Sequence, residues 1–214
     1  MNRAARNVEA FRELVAARFH LAFAERFDRQ LQRGLDRAGA ILGLKDDDAI
    51  CSSLALAHWT EPAWQAAIEA ITVRETSFFR QRNWWDSIAD EALRPLIAAR
   101  RRDGARRLRC LSVGCASGEE PYSLAITLDR LLEGEPGWTV EIVGLDLCEA
   151  ALRNARESVY DLRSTREVRD EERARWFRPA GRRGFILDEA LRSRVDFHLF
   201  NLREASAGGL SEVP

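Results

Sequence analysis

Paired cysteines are missing. The four in 214 residues (Cys51, Cys110, Cys115, Cys148) form no Cys-x-x-Cys, and two lie in apolar strand-like runs. Reduced thiols in a cytoplasmic protein are the reading for that pattern. Histidine is scarcer, and His20, His58 and His198 are scattered with no ligand spacing, which argues against a zinc site. No apolar run approaches membrane-spanning length, and MNRAARNVEAF lacks the apolar core of a signal peptide. The net charge of -1 gives no bulk attraction to nucleic acid or to a membrane surface. Internal repeats and low-complexity segments are lacking too. What remains is 46% hydrophobic and 31% charged, able to bury a sizeable core as one large domain or two small ones.

Between Val8 and Leu35 the apolar residues step by three and four (Phe11, Leu14, Val15, Phe19, Phe23, Phe27, Leu31), marking an amphipathic helix with a break near His20. Arg26, Arg29, Arg33 and Arg37 follow the same spacing on one face. A solvated face fits this stripe, since Glu25, Asp28 and Asp36 are close by; so does a docking stripe for an acidic partner, and sequence does not separate the two. Gly43 reads as a helix stop and KDDDA as a capped entry to the next helix. Cys51 to Ala57 and Pro62 to Ile71 read as two short helices, so residues 1–72 form a small all-helical domain. TVRETSFFR (72–80) is then a linker anchored by Phe78 and Phe79. Asn83 to Arg102 reads as a helix kinked by Pro95. The arginines at 100–102, 106, 107 and 109 lack interleaved aromatics and read as a solvated helix end, not a nucleic-acid site.

The chain is organised around Leu108 to Thr127, LRCLSVGCASGEEPYSLAIT. A buried strand, a small-residue turn and a helix opening at Ser117 or Gly118 describe the first βα unit of a nucleotide-cofactor fold. Gly114, Ala116 and Gly118 let backbone approach a ligand, and Ser117 is a candidate N-cap. The turn is Gly-x-x-x-Gly with Glu119 and Glu120 next, so a pyrophosphate would be repelled. A ligand with a ribose and a cationic amine fits, and S-adenosylmethionine is one. A second strand, Trp138 to Leu145, ends at Asp146, where α/β folds hold a ribose; capping of the helix that follows is the other reading of this carboxylate. Tyr160 to Leu191 breaks the alternation and reads as an inserted hairpin or small subdomain. Arg194 to Leu202 is a third core strand on which His198 is a packing or surface residue.

VGCASGEEPYSLA, TVRETSFFR, VGLDL, ARESVYDL, RWF and VDFHLFNL together resemble the CheR-type chemotaxis receptor methyltransferases. These are S-adenosylmethionine-dependent protein-glutamate O-methyltransferases. The resemblance runs over roughly residues 8 to 203, and GEEPYSLA is its most specific part. It implies an α/β protein with an N-terminal helical docking domain (1–72) and a Rossmann-like methyltransferase domain (73–214). A small β-subdomain is inserted at about 160–192, which in some members tethers to a receptor tail peptide. By motif, Thr76, Arg80, Gly114 and Glu119 would contact the cofactor, Asp146 its ribose, and Asn201 with Leu202 its adenine. No catalytic residue and no metal ligand is assigned. The implied partner is the cytoplasmic helical region of chemotaxis receptors, with Arg26, Arg29, Arg33 and Arg37 as docking face.

Two departures accompany the resemblance. Arg74 stands where the family usually has Asn. The family pattern also continues beyond the third strand with one that lies beside the first, so this chain is expected to hold an incomplete sheet with Leu108 to Val113 as an apolar edge. Two other readings stay open: a class I methyltransferase with another substrate, and a non-catalytic receptor-docking module.

Overall fold

The computed structural model describes residues 3–72 and 75–205, with side chains from residue 8 onward. Arg74 and the stretch 206–214 lie outside the described residues. The described chain divides into two compact units. The first takes residues up to 72 together with 147–150 and 200 onward, and the second takes 75–146 and 151–199.

In the first unit the stepped apolar pattern breaks at His20, whose φ of 54° ends helix α1 (Arg3–Phe19). A 3-10 turn (Glu25–Phe27) leads into α2 (Asp28–Leu42), which stops at Gly43 in the left-handed region, φ 69°. The Asp46 carboxylate accepts the Ala49 N–H at 3.2 Å and opens α3 (Asp47–Leu56). Pro62 sits in the first turn of α4 (Pro62–Ile71), where its missing N–H costs nothing. These helices close on Trp64, fully buried and stacked 6.0 Å from Phe11. Phe19 meets it edge-on at 5.1 Å, and its indole N–H donates to the Leu54 carbonyl at 2.8 Å. Arg26, Arg29, Arg33 and Arg37 are all exposed, and Arg37 reaches Glu69 at 3.4 Å. Within the same unit, Gln65 accepts the Glu149 N–H at 2.9 Å and donates to the Leu147 carbonyl at 3.3 Å.

The second unit begins with α5 (Arg82–Ile88), a π-helical stretch (Ala89–Leu93) and α6 (Arg94–Arg102). The helix expected over 83–102 contains this widened turn, which ends two residues before Pro95, the residue that cannot donate to the helix ladder. Trp85, Ala89, Leu93 and Ile97 are its buried residues. Strand β1 (Arg107–Val113), helix α7 (Glu119–Leu131), strand β2 (Thr139–Asp146) and helix α8 (Glu149–Glu157, its first residues counted with the first unit) follow. The inserted region comprises β3 (Val159–Tyr160), α9 (Asp170–Trp176), β4 (Phe177–Pro179), β5 (Phe185–Leu187) and α10 (Glu189–Arg192), before β6 (Val195–Leu199).

Two sheets result. The parallel one has the order β1-β2-β6, with Cys110 opposite Ile142 and Gly144 opposite Phe197. The antiparallel one, β3-β5-β4, is the inserted subdomain that the broken alternation predicts. Leu108, Ile142 and Phe197 join Tyr122 and Ile126 of α7 in one core. Among the described residues β1 pairs with β2 alone, and on its other face Leu111 and Val113 stay 38% and 40% exposed. The small sheet's helix is tied to α5 by Arg82 and Glu172: guanidinium Nη1 meets Oε2 at 2.7 Å, and Nη2 meets Oε1. Burial alone would raise the Glu172 carboxyl, but Arg82 and the Arg169 N–H hold it below its ordinary value.

Candidate functional site

A narrow turn joins β1 to α7. Gly114 and Cys115 both donate their N–H to the Leu145 carbonyl, at 2.8 and 3.0 Å, so the end of β1 is fixed to the end of β2. Gly114 has φ 73°, and a Cβ there would meet nothing within 4 Å. Ala116 follows at φ 49°, its N–H held by the Asp146 carboxylate at 2.8 Å. The acid at the carboxyl end of β2 therefore braces the turn that precedes α7.

Gly118 serves a different purpose from the one its sequence position suggests. At φ 92° it is the N-cap, and a Cβ would lie 2.9 Å from the Ala155 methyl and 3.1 Å from the Tyr160 hydroxyl. It is buried by protein, which makes it a packing glycine and not a point of ligand approach. Ser117 does not cap α7 either. Its hydroxyl turns to the Glu119 carboxylate at 2.7 Å, because the left-handed bend at Gly118 takes the cap position.

Glu119 is the unusual group of the site. It is a buried carboxylate in the first turn of α7. Burial raises its carboxyl above the ordinary value, while the Ser117 hydroxyl, its own backbone N–H and the Ser164 hydroxyl pull it back; Asp161 adds to the rise. None of these groups is a cation. Tyr160 is buried nearby, its phenol pushed well up by burial, and as a neutral donor it bonds the Ser117 carbonyl at 2.8 Å. Glu120, by contrast, is exposed and accepts the Ser112 hydroxyl at 2.7 Å.

The stretch 75–80 is hooked onto this turn. Phe79 donates its N–H to Ser123 Oγ at 2.9 Å, and that hydroxyl donates to the Glu119 carbonyl at 2.6 Å. Phe78, fully buried, packs edge-on to Tyr160 at 4.7 Å, and its N–H reaches the Ser164 carbonyl at 2.9 Å. Thr76 is half-buried at the start of the stretch. Arg80 is exposed, with Nη1 on the Glu75 carbonyl at 2.9 Å. Gly114, Glu119 and Asp146 thus meet around one turn, and the segment carrying Thr76 and Arg80 is fastened to it. Asn201 and Leu202 belong to the first unit. There the Asn201 amide donates to the Arg18 carbonyl at 3.1 Å and accepts the Arg203 N–H at 3.1 Å, while Leu202 is exposed.

Residues 74–210 match the family described as "CheR methyltransferase, SAM binding domain". The chain belongs to that family. The cofactor of the family is S-adenosylmethionine. Among curated proteins, Chemotaxis protein methyltransferase Cher2 of Pseudomonas putida is 31% identical over 147 residues, which is 67% of this chain and 52% of that protein. Chemotaxis protein methyltransferase 1 of Pseudomonas aeruginosa is 33% identical over 147 residues, 67% and 53% of the two chains. The Chemotaxis protein methyltransferase of Salmonella typhimurium is 31% identical over 196 residues, 90% of this chain and 64% of that one. The chain spans about half the length of the two Pseudomonas relatives.

Ser164, Ser117 and Tyr160 are the site residues that sequence reasoning missed in these roles. The one signal was Tyr160, inside the ARESVYDL motif; nothing local ties it to a carbonyl 43 residues away.

Proposed function

We propose that this chain binds S-adenosylmethionine at the β1–α7 turn and that the protein it represents methylates glutamate side chains of chemotaxis receptors in the cytoplasm. The observation behind this reading is Glu119. A buried carboxylate that the Ser117 hydroxyl bonds at 2.7 Å, with no cation among the described groups that shift it, suits the ammonium of the cofactor's amino-acid end. Gly114, open at the position of a Cβ, leaves room for a ligand against backbone. In this reading Thr76 and Arg80 contact the cofactor from the linker and Asp146 takes the ribose. The assignment of Asn201 and Leu202 to the adenine is part of the same proposal.

The cofactor supplies an electrophilic methyl group on a sulfonium. A glutamate substrate with an ordinary pKa of about 4.3 is already ionised at neutral pH, so the protein need not provide a strong base. Its residues have to hold both partners in line and keep water out, and alignment of this kind can account for several kcal/mol of barrier. Arg29, Arg33 and Arg37, exposed on α2, and Arg26, exposed on the 3-10 turn before it, offer the acidic receptor helices a complementary surface.

The test is calorimetric titration of S-adenosylhomocysteine into the chain, followed by transfer of labelled methyl to a receptor cytoplasmic fragment by the chain extended to the length of its relatives. Saturable binding and base-labile label on the receptor are expected. Absence of binding by both chains rejects the reading.

A further inference from the structure

The stretch that carries Arg80 has an unusual backbone. Phe79 and Gln81, on either side of it, both sit in the left-handed region, at φ 51° and 60°, and neither is glycine. Such residues relax unless their surroundings hold them. Phe79 is held by α7, where Ser123 Oγ accepts its N–H at 2.9 Å. The Gln81 side is held by Arg82. Its N–H donates to Glu167 Oε2 at 3.2 Å and its Nη1 to the Glu167 carbonyl at 3.3 Å, while its two terminal nitrogens clasp the Glu172 carboxylate. The same guanidinium lies over the Phe79 ring, 4.1 Å from its centroid, so it reaches back past Arg80. Both partners of the clasp are largely buried. A planar, forked cation can stack and clasp at once, which a lysine cannot do.

We propose that Arg82 is a positioning residue for the cofactor: by stacking on Phe79 and clasping Glu172 of α9, it holds the backbone that presents Arg80 to the carboxylate of the amino-acid end. The inference rests on the cofactor reading of the 75–80 segment and deepens it. The carboxylate is the anion that S-adenosylmethionine offers to a guanidinium. Arg80 is exposed, and its Nη1 bonds the Glu75 carbonyl of the same segment at 2.9 Å, so its direction follows the segment's backbone. A backbone fixed at both flanks before ligand arrives loses less freedom on binding. The clasp is also well matched electrically. Arg130 stands 3.8 Å from the same carboxylate, and the Arg169 N–H donates to it at 3.0 Å. Through α9 the inserted region thus contributes to affinity for ligands that carry the amino-acid end.

The experiment is a double-mutant cycle read by calorimetry with two ligands: S-adenosylhomocysteine, and 5'-methylthioadenosine, which lacks the amino-acid end. Arg82→Lys keeps a charge beside Glu172 and gives up the stack and the fork. It is expected to weaken S-adenosylhomocysteine about tenfold and to leave 5'-methylthioadenosine unchanged. In a chain that already carries Arg80→Ala, the same substitution should alter neither affinity further. Arg82→Met paired with Glu172→Gln removes both charges of the clasp, so no buried carboxylate is left unmatched. That pair should reproduce the loss seen with Arg82→Lys. Undiminished S-adenosylhomocysteine binding in both Arg82 variants overturns the inference while leaving the cofactor reading intact. Losses that simply add in the cycle, or that fall equally on both ligands, also overturn it, since Arg82 would then not act through Arg80. Failure of the unsubstituted chain to bind either ligand removes the cofactor reading and this inference together.

Discussion

The Tyr160 hydroxyl donates to the carbonyl of Ser117 across 2.8 Å, binding the first strand of the small sheet to the turn that opens α7. The inserted region is thereby a support of the β1–α7 turn. Tyr160→Phe should leave that carbonyl without its donor and destabilise the chain by about 1–2 kcal/mol. Urea denaturation followed by circular dichroism measures this, and an unchanged midpoint would detach the small sheet from the turn's stability.

The glycines at the two ends of the turn should behave differently when replaced. Gly118→Ala places a methyl 2.9 Å from Ala155 and adds strain at φ 92°, so it should cost several kcal/mol or prevent folding. Gly114→Ala meets open space and bears only the backbone strain, about 1 kcal/mol. Thermal melts of the two variants settle the order. Equal losses would mean that steric crowding at Gly118 is relieved by movement of α8.

Glu119 should trade stability for binding. A carboxyl raised in the folded state takes up its proton more readily there than in the unfolded chain, so the unfolding free energy falls as pH rises between the unfolded and folded values. Above the folded value the penalty is complete. Glu119→Gln should therefore melt higher than the unsubstituted ligand-free chain at pH 7, with the gap narrowing as pH falls below both values. The same variant should bind S-adenosylhomocysteine about tenfold more weakly or worse. Scanning calorimetry with and without ligand reads both effects, and a variant that melts lower at pH 7 contradicts the burial argument.

The arginine face can be tested without disturbing the core, because Arg29 and Arg33 are exposed on α2. Arg29→Glu with Arg33→Glu should leave the melting temperature within about 2 °C. It should sharply reduce capture by a receptor cytoplasmic fragment and weaken the salt dependence of what remains. Undiminished capture returns these residues to a solvated surface.

Much of the helical unit is legible in the sequence because its signals are local. Gly43 and Asp46 mark helix ends through their own backbone geometry and side-chain reach. The parallel strands around Val113 and Asp146 are legible for the same reason, being short apolar runs ending in turn residues. The turn between them is less so. Gly118 looks like a ligand-facing glycine in one dimension, and only the approach of Ala155, Phe197 and Tyr160 makes it a packing one. Ser117 looks like a cap, and only burial of Glu119 gives its hydroxyl a better acceptor. Ser164 carries no pattern at all, since its partner Phe78 is distant in the chain.

The π-helical stretch before Pro95 has a geometric consequence. Trp85, Ala89, Leu93 and Ile97, all buried, recur every fourth residue. On a regular helix of 3.6 residues per turn, each such step rotates the next side chain onward by about 40°. Three steps would carry Ile97 about a third of the way around the axis from Trp85. The wider turn at Ala89–Leu93 winds backward by comparison and returns the row to one side. It acts as a phase corrector that takes up one residue, so deleting a single residue there would regularise the helix and leave Ile97, eleven residues from Trp85, about 20° from the same side.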